Sequence, residues 1–252
     1  MDNQKTYENK DVVREYTVLN QLFEPEKKVL DILSKKLADF KMLDIGVGAG
    51  RTSGFFAPLV KEYIGIDYSE EFVKVCKNRF SKHPEYTFIH CDVREMKQFA
   101  NKEFNLVLFS YNGLDYISHN HRALALKEIS RVVSDNGLFI FSSHNLNSVY
   151  KLYKVSLSGS VISIAKNCVK LLFLLLLNGL PGKYKNRDYA IINDGAHRFR
   201  LKTYYIKPGK QLEQLEKIGY NNICAFDENG EEISLNQIDK ATDTWIYYLC
   251  KK

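Results

Sequence analysis

The residues best suited by type and spacing to do chemistry sit in a glycine-rich run, Leu43-Asp44-Ile45-Gly46-Val47-Gly48-Ala49-Gly50-Arg51. Gly46, Gly48 and Gly50 let a backbone bend tightly and approach a ligand, and a helix starting just beyond them offers unpaired N–H donors. Arg51 stands where a dinucleotide-binding G-x-G-x-x-G would need its third glycine, so a pyrophosphate is disfavoured. Asp44, two residues before Gly46, brings a carboxylate to the same turn. A negative group there suits a ligand carrying an ammonium or sulfonium better than a phosphate. Further candidates to touch a reacting group come from elsewhere: Tyr111, Asn112 and Asp115 in SYNGLDY, His144 in SSHN, and His197 in the polar cluster Asn193–Arg200. Either histidine can take a proton near neutral pH. His119 and His121, in SHNHR at a helix start, read as surface or capping residues. The five cysteines, at 76, 91, 168, 224 and 250, form no CxxC pair and no zinc-spaced Cys/His cluster, and no DxxxDD run occurs, so no metal is expected.

These residues need elements to hold them. Strand-length apolar runs at Lys41–Gly46, Glu62–Asp67, Tyr86–His90, Phe104–Ser110 and Leu138–Ser143 alternate with helical periods near 25–39, 51–60, 70–82 and 121–133. Leu126, Ile129, Val132 and Val133 give the last of these one apolar face, Pro25 suits a helix start, and Asn136–Gly137 forms a tight turn into the next strand. Strand–helix alternation implies a parallel sheet with helices on both faces. A helix over Pro208–Gly219 and strands near Asn222–Phe226 and Thr244–Cys250 complete a seven-stranded, mostly parallel sheet. In such an open sheet ligands lie beyond the carboxyl ends of the strands, which is where Tyr111, Asn112, Asp115 and His144 fall.

The glycine turn LDIGVGAGR resembles the first motif of class I S-adenosylmethionine-dependent methyltransferases, and the likeness continues along the chain. Tyr63–Ser69 matches the second strand of that family, where Asp67 would hydrogen-bond the ribose hydroxyls. His90-Cys91-Asp92-Val93 matches the end of the third, where Asp92 would reach the adenine amine. Phe104–Ser110 resembles the family's FD-x-V strand, with Asn105 in place of the usual Asp. Leu126–Val133 followed by Asn136–Ile140 resembles the L-x-E-h-x-R-V-L-k-p-G-G-x-h connection (h, a hydrophobic residue), and Leu212–Gly219 its late helix. The resemblance covers about 40–145 and 204–250. It implies a Rossmann-like α/β fold with an insertion after strand five, S-adenosyl-L-methionine as cofactor, and a cofactor wall of Asp44, Gly46, Gly48, Gly50, Asp67, Tyr68, Asp92, Val93 and Ser110. Relatives also fold a leading segment over the methionine moiety. Tyr7, Arg14 and Tyr16 precede the first core helix here, and Tyr16 is the candidate to line the site.

At 252 residues with 45% hydrophobic and 26% charged residues, the chain suits one α/β domain over 1–252, with a leading helical segment over 1–40. Net charge is +6, but seven basic residues and no acidic one lie between Leu146 and Arg187, leaving the remainder at −1. That distribution points to an enzyme of small molecules and away from nucleic acid. The longest uncharged apolar stretch in the insertion 146–200 is Leu171–Leu177, which is too short to span a bilayer. The insertion is expected to form an acceptor lid. Its basic segment, 151–187, can bind an anionic acceptor or rest on an acidic membrane surface, or its leucines can simply cover the core. The polar opening MDNQKTYENKDVVREY shows no signal peptide, and the cytoplasm is the expected address. The expected activity is in-line methyl transfer to a small molecule or glycan precursor. The turns SYNGLDYI and SSHN and the stretch DYAIINDGAHRFR look like bacterial methyltransferases of surface polysaccharide synthesis. Competing readings are an RNA methyltransferase, an NAD-dependent oxidoreductase, and an inactive methyltransferase-like module at a membrane surface.

Overall fold

A computed structural model describes residues 16–156 and 158–252. Tyr7 and Arg14, together with the start of the leading segment, lie outside the described residues. Five strands, β1 (Lys41–Ile45), β2 (Glu62–Asp67), β3 (Tyr86–His90), β4 (Phe104–Phe109) and β5 (Val133–Asn145), pair in parallel in the order 3-2-1-4-5. The order reverses between β1 and β4, so the crevice at their carboxyl ends is the switch point where an α/β sheet binds ligands.

Both faces of this sheet are covered, and the strands show why. Met42, Leu106 and Leu108 point to one side, against Val29 of α1 (Glu24–Leu33), Phe56 of α2 (Ser53–Phe56) and Val73 of α3 (Glu70–Arg79). Their neighbours Leu43, Val107 and Phe109 point to the other, against Leu126 and Ile129 of α4 (His119–Val132). Two-residue alternation on a sheet buried on both faces leaves strands that are apolar throughout, as the sequence shows.

The sheet is larger than the expected seven strands. It has ten among the described residues. The two late runs are strands as expected: β10 (Trp245–Lys251) runs antiparallel between β5 and β8 (Asn221–Phe226). The additions are a two-residue edge strand, β9 (Glu232–Ile233), and a hairpin of β6 (Tyr189–Ile192) and β7 (Thr203–Ile206). β4 pairs with β5 as far as Phe141, and β7 takes up β5 again at His144 and Asn145. The hairpin therefore stands over the carboxyl end of β4. Neither of its strands exceeds four residues, which left them without a readable period.

Most of the insertion is ordered around a small core of its own: Leu146, Val149, Tyr184, Ala190, Ile192 and Tyr205. Its main element, α5 (Val161–Asn178), is 18 residues long with a mean hydropathy of 1.8, long and apolar enough by length and composition to cross a membrane. Counting uninterrupted apolar residues underrates it. Helical geometry turns Lys166 and Lys170 onto one flank and leaves the apolar surface continuous beside them. The last helix, α6 (Pro208–Lys217), packs Leu215 into the main core.

Candidate active site

At the switch point the backbone leaves β1 through Gly46, Gly48 and Gly50, all with positive φ. A Cβ at Gly46 would meet Phe109 at 2.9 Å, whereas one at Gly48 would meet nothing nearer than Tyr16 at 3.7 Å. Gly48 thus opens onto space, a cavity at this end of the sheet. That cavity has a volume of about 430 Å³ and is walled by Gly46, Gly48, Asp67, Tyr68, Ser110 and Tyr111, among others. Gly50 does not face it; its missing side chain makes room for Phe80.

Asp67 ends β2 at this wall. Its Oδ2 accepts from the Gly48 N–H at 2.9 Å and its Oδ1 from the Ser69 N–H at 2.9 Å. Burial pushes the carboxyl up to about 6, against the pull of those two N–H groups. Asp92 and Val93 reach the same wall after β3. Burial would raise the Asp92 carboxyl, but Arg94, bonded through Nε at 2.9 Å to each oxygen, holds it below its ordinary value. Arg94 also contacts His121 Nδ1 at 2.8 Å. His121 is exposed, as its reading as a surface residue expects, and its ring contact is with Arg94 at the cavity wall and not with the helix end. His119 bonds the Tyr204 hydroxyl at 3.0 Å and stacks on Tyr189, so it is no cap either.

Asp44 lies deeper. It receives the Thr52 and Tyr63 hydroxyls, each at 2.7 Å, and borders a smaller space of about 40 Å³ behind the glycine turn. Burial pushes it up to about 6 against those two hydrogen bonds. Arg51 does not project into the ligand space as a crowding group. It pairs with Glu26 of α1 through two contacts of 2.5 and 2.7 Å, donates to Ser110 Oγ at 3.0 Å, and lies under the Phe23 ring. Tyr247 of β10 donates to the same Glu26 at 2.6 Å. Burial would raise the Glu26 carboxyl, but Arg51 holds it below its ordinary value.

The far end of the cavity is aromatic. Tyr16 stands edge-on to Tyr111 and Phe72 and stacks on His197 at 6.0 Å, while Tyr116 and Ile117 close the wall after β4. Behind Tyr116 lies a buried polar knot. Asp115 Oδ2 accepts from the His144 backbone N–H at 2.6 Å and its ring Nδ1 at 2.8 Å, and Oδ1 accepts from Arg122 at 2.6 Å and Ser143 at 2.8 Å. Arg122 also donates to Gln211 at 2.6 Å. A carboxylate only accepts, so the ring carries its proton on Nδ1 and keeps the Nε2 lone pair free. His144 retains 13% of its side-chain surface and sits 6.5 Å from the Tyr116 ring. Asn112, left-handed and buried, holds the turn by donating to Ser142 at 2.7 Å and is not on the cavity wall. Of the sequence candidates, therefore, Tyr16, Gly46, Gly48, Asp67, Tyr68, Asp92, Val93, Ser110 and Tyr111 share one cavity. Asp115 and His144 form a second group beside it. Glu26, Arg122, Tyr116 and Tyr247 carried no local signal.

Residues 42–137 match the family described as a methyltransferase domain. Over that stretch, from β1 to the turn inside β5, the chain is similar to a methyltransferase domain. An uncharacterized protein of Methanocaldococcus jannaschii is 26% identical over 211 residues, 83% of this chain and 72% of its own. Among solved structures, an S-adenosylmethionine-dependent methyltransferase from Clostridium acetobutylicum superposes with a TM-score of 0.62 at 13% identity over 96% of each chain. The 1,6-didemethyltoxoflavin-N1-methyltransferase of Burkholderia thailandensis, solved with its acceptor and S-adenosylhomocysteine, gives 0.59 at 12% identity over 95% of this chain and 81% of its own. These likenesses show a Rossmann-like α/β fold shared with S-adenosylmethionine-dependent methyltransferases.

Proposed function

We propose that this protein transfers the S-adenosylmethionine methyl group to a protic group of a small-molecule acceptor, the class that includes glycan precursors. The cavity residues fit the cofactor: Gly48 leaves a cradle that a side chain would fill, and the buried Asp67 carboxylate at its edge is an acceptor suited to a pair of hydroxyls. Gly46, Gly48, Asp67, Tyr68, Asp92, Val93 and Ser110 would hold it, with Tyr16 over the methionine end and Asp44 behind the turn. When bound, it supplies a sulfonium-activated methyl group, so the protein's task is to align an acceptor and exclude water.

The observation that carries the acceptor reading is the Asp115–His144 pair beside Tyr116. Asp115 fixes the imidazole so that Nε2 can take a proton from a hydroxyl or amine, with the rings of Tyr116 and Tyr205 beside it. Incubation of the purified protein with methyl-labelled donor and fractionated cell extract tests the reading. A labelled small molecule heavier by one CH2 is expected; label confined to RNA would overturn it.

Asp67→Ala is expected to weaken S-adenosylhomocysteine binding by more than about tenfold, roughly 1.4 kcal/mol, read by calorimetry. The sign with pH follows from the raised carboxyl. Above about pH 6 Asp67 is ionised and accepts both hydroxyls, so wild-type affinity should fall as pH drops from 7 to 5 and Asp67→Ala should flatten that slope. Unchanged affinity in the variant would remove Asp67 from the ribose.

A further inference from the structure

We propose that α5 is a membrane-surface anchor whose outward face rests in the interface of an anionic phospholipid bilayer. Leu174 and Asn178 face the fold. On the opposite side Ile162, Val169, Leu172 and Leu176 recur at helical spacing, each more than half exposed. A solvent-facing helix surface should be polar, so this stripe is inverted and needs a cover.

Charge selects the cover. Lys166 and Lys170 flank the stripe, and the whole run from Leu146 to Arg187 carries seven cations and no anion. Lipid phosphates complement that pattern, with lysine stems lying along the apolar surface and ammonium groups at headgroup level. A second copy docked about a two-fold axis would set the same cationic patch against itself. Passage through the bilayer is opposed by how the helix is tied down. Near its start Asn167 donates to the Ser156 carbonyl at 3.2 Å. At its end Asn178 and Asn193 exchange hydrogen bonds of 2.8 and 2.9 Å. The flanking residues Val149 and Tyr184 share one core, so the chain arrives at and leaves α5 on the same side. The helix lies flat.

This placement bears on the cavity. Phe173 of α5 packs on Phe199 at 5.4 Å, in the same turn as His197, which stacks on Tyr16 at the cavity wall. A bilayer under α5 would therefore lie close to the lip through which an acceptor enters.

Flotation of the full chain with vesicles of phosphatidylcholine alone, or mixed with phosphatidylglycerol, tests the proposal without any methylation readout. Binding to the anionic vesicles should exceed binding to the neutral ones by about tenfold or more and weaken in high salt. Leu172→Glu with Leu176→Glu, both at exposed positions, should lose that binding with circular dichroism and melting unchanged. The proposal is overturned if the double variant floats like the wild type, if neither vesicle binds, if the protein resists alkaline carbonate extraction as a spanning helix does, or if the two substitutions instead dissolve a dimer.

Discussion

His144→Gln is expected to lower kcat by roughly 10²–10⁴-fold while leaving S-adenosylhomocysteine affinity unchanged. Asp115 holds the His144 backbone through its N–H and the imidazole through Nδ1, which orients the second ring nitrogen. Glutamine keeps the size and polarity of the side chain but offers no base. Only 13% of the His144 side chain is exposed, so a melting curve must accompany the rate measurement to separate lost chemistry from lost fold. A folded variant with wild-type kcat would mean that the acceptor reaches the reaction already deprotonated, and Asp115 would then be a structural carboxylate. A drop in cofactor affinity instead of kcat would assign His144 to binding.

The second large effect is on stability. Arg51→Ala, or Glu26→Ala, should cost about 3–5 kcal/mol in urea unfolding, because either change strands the partner as an unpaired buried charge. For a chain of this length the melting temperature would fall on the order of 10 °C. Replacing both by leucine should cost far less than the sum, since removal of the pair also removes its desolvation penalty. Glu26 also accepts from the Phe23 backbone N–H at 2.8 Å and from Tyr247, so its loss should exceed that of Arg51. The depressed Glu26 carboxyl sets the pH sign: its stabilisation is complete above the ordinary glutamate range and disappears as acidification protonates it. Additive single and double variants would show that the two charges act independently.

What the sequence made legible and what it hid divide along one physical line. The glycine turn, Asp67 and Asp92 were readable because each sits within a few residues of a strand end, where turn chemistry and strand period coincide. β2 and β3 fall at the expected residues. Glu26 meets Arg51 across 25 residues and Tyr247 across 221, and no local pattern records such a meeting. Arg122 looks like a solvated residue on a charged helix face, yet it is fully buried because Asp115 and Gln211 converge on it from other elements. Asp44 shows the converse. Its proximity to the turn was plain, but the hydroxyls of Thr52 and Tyr63 that occupy it depend on how α2 and β2 pack.

The antiparallel strand β10 follows every other strand in chain order, yet it lies inside the sheet between β5 and β8. A nascent polypeptide emerging from the ribosome would thus hold an open seam along β5 until residues 245–251 arrive to fill it. Since Tyr247 brings one of the hydroxyls that ties down Glu26, the buried Arg51–Glu26 pair would gain its last partner only with that closing stitch.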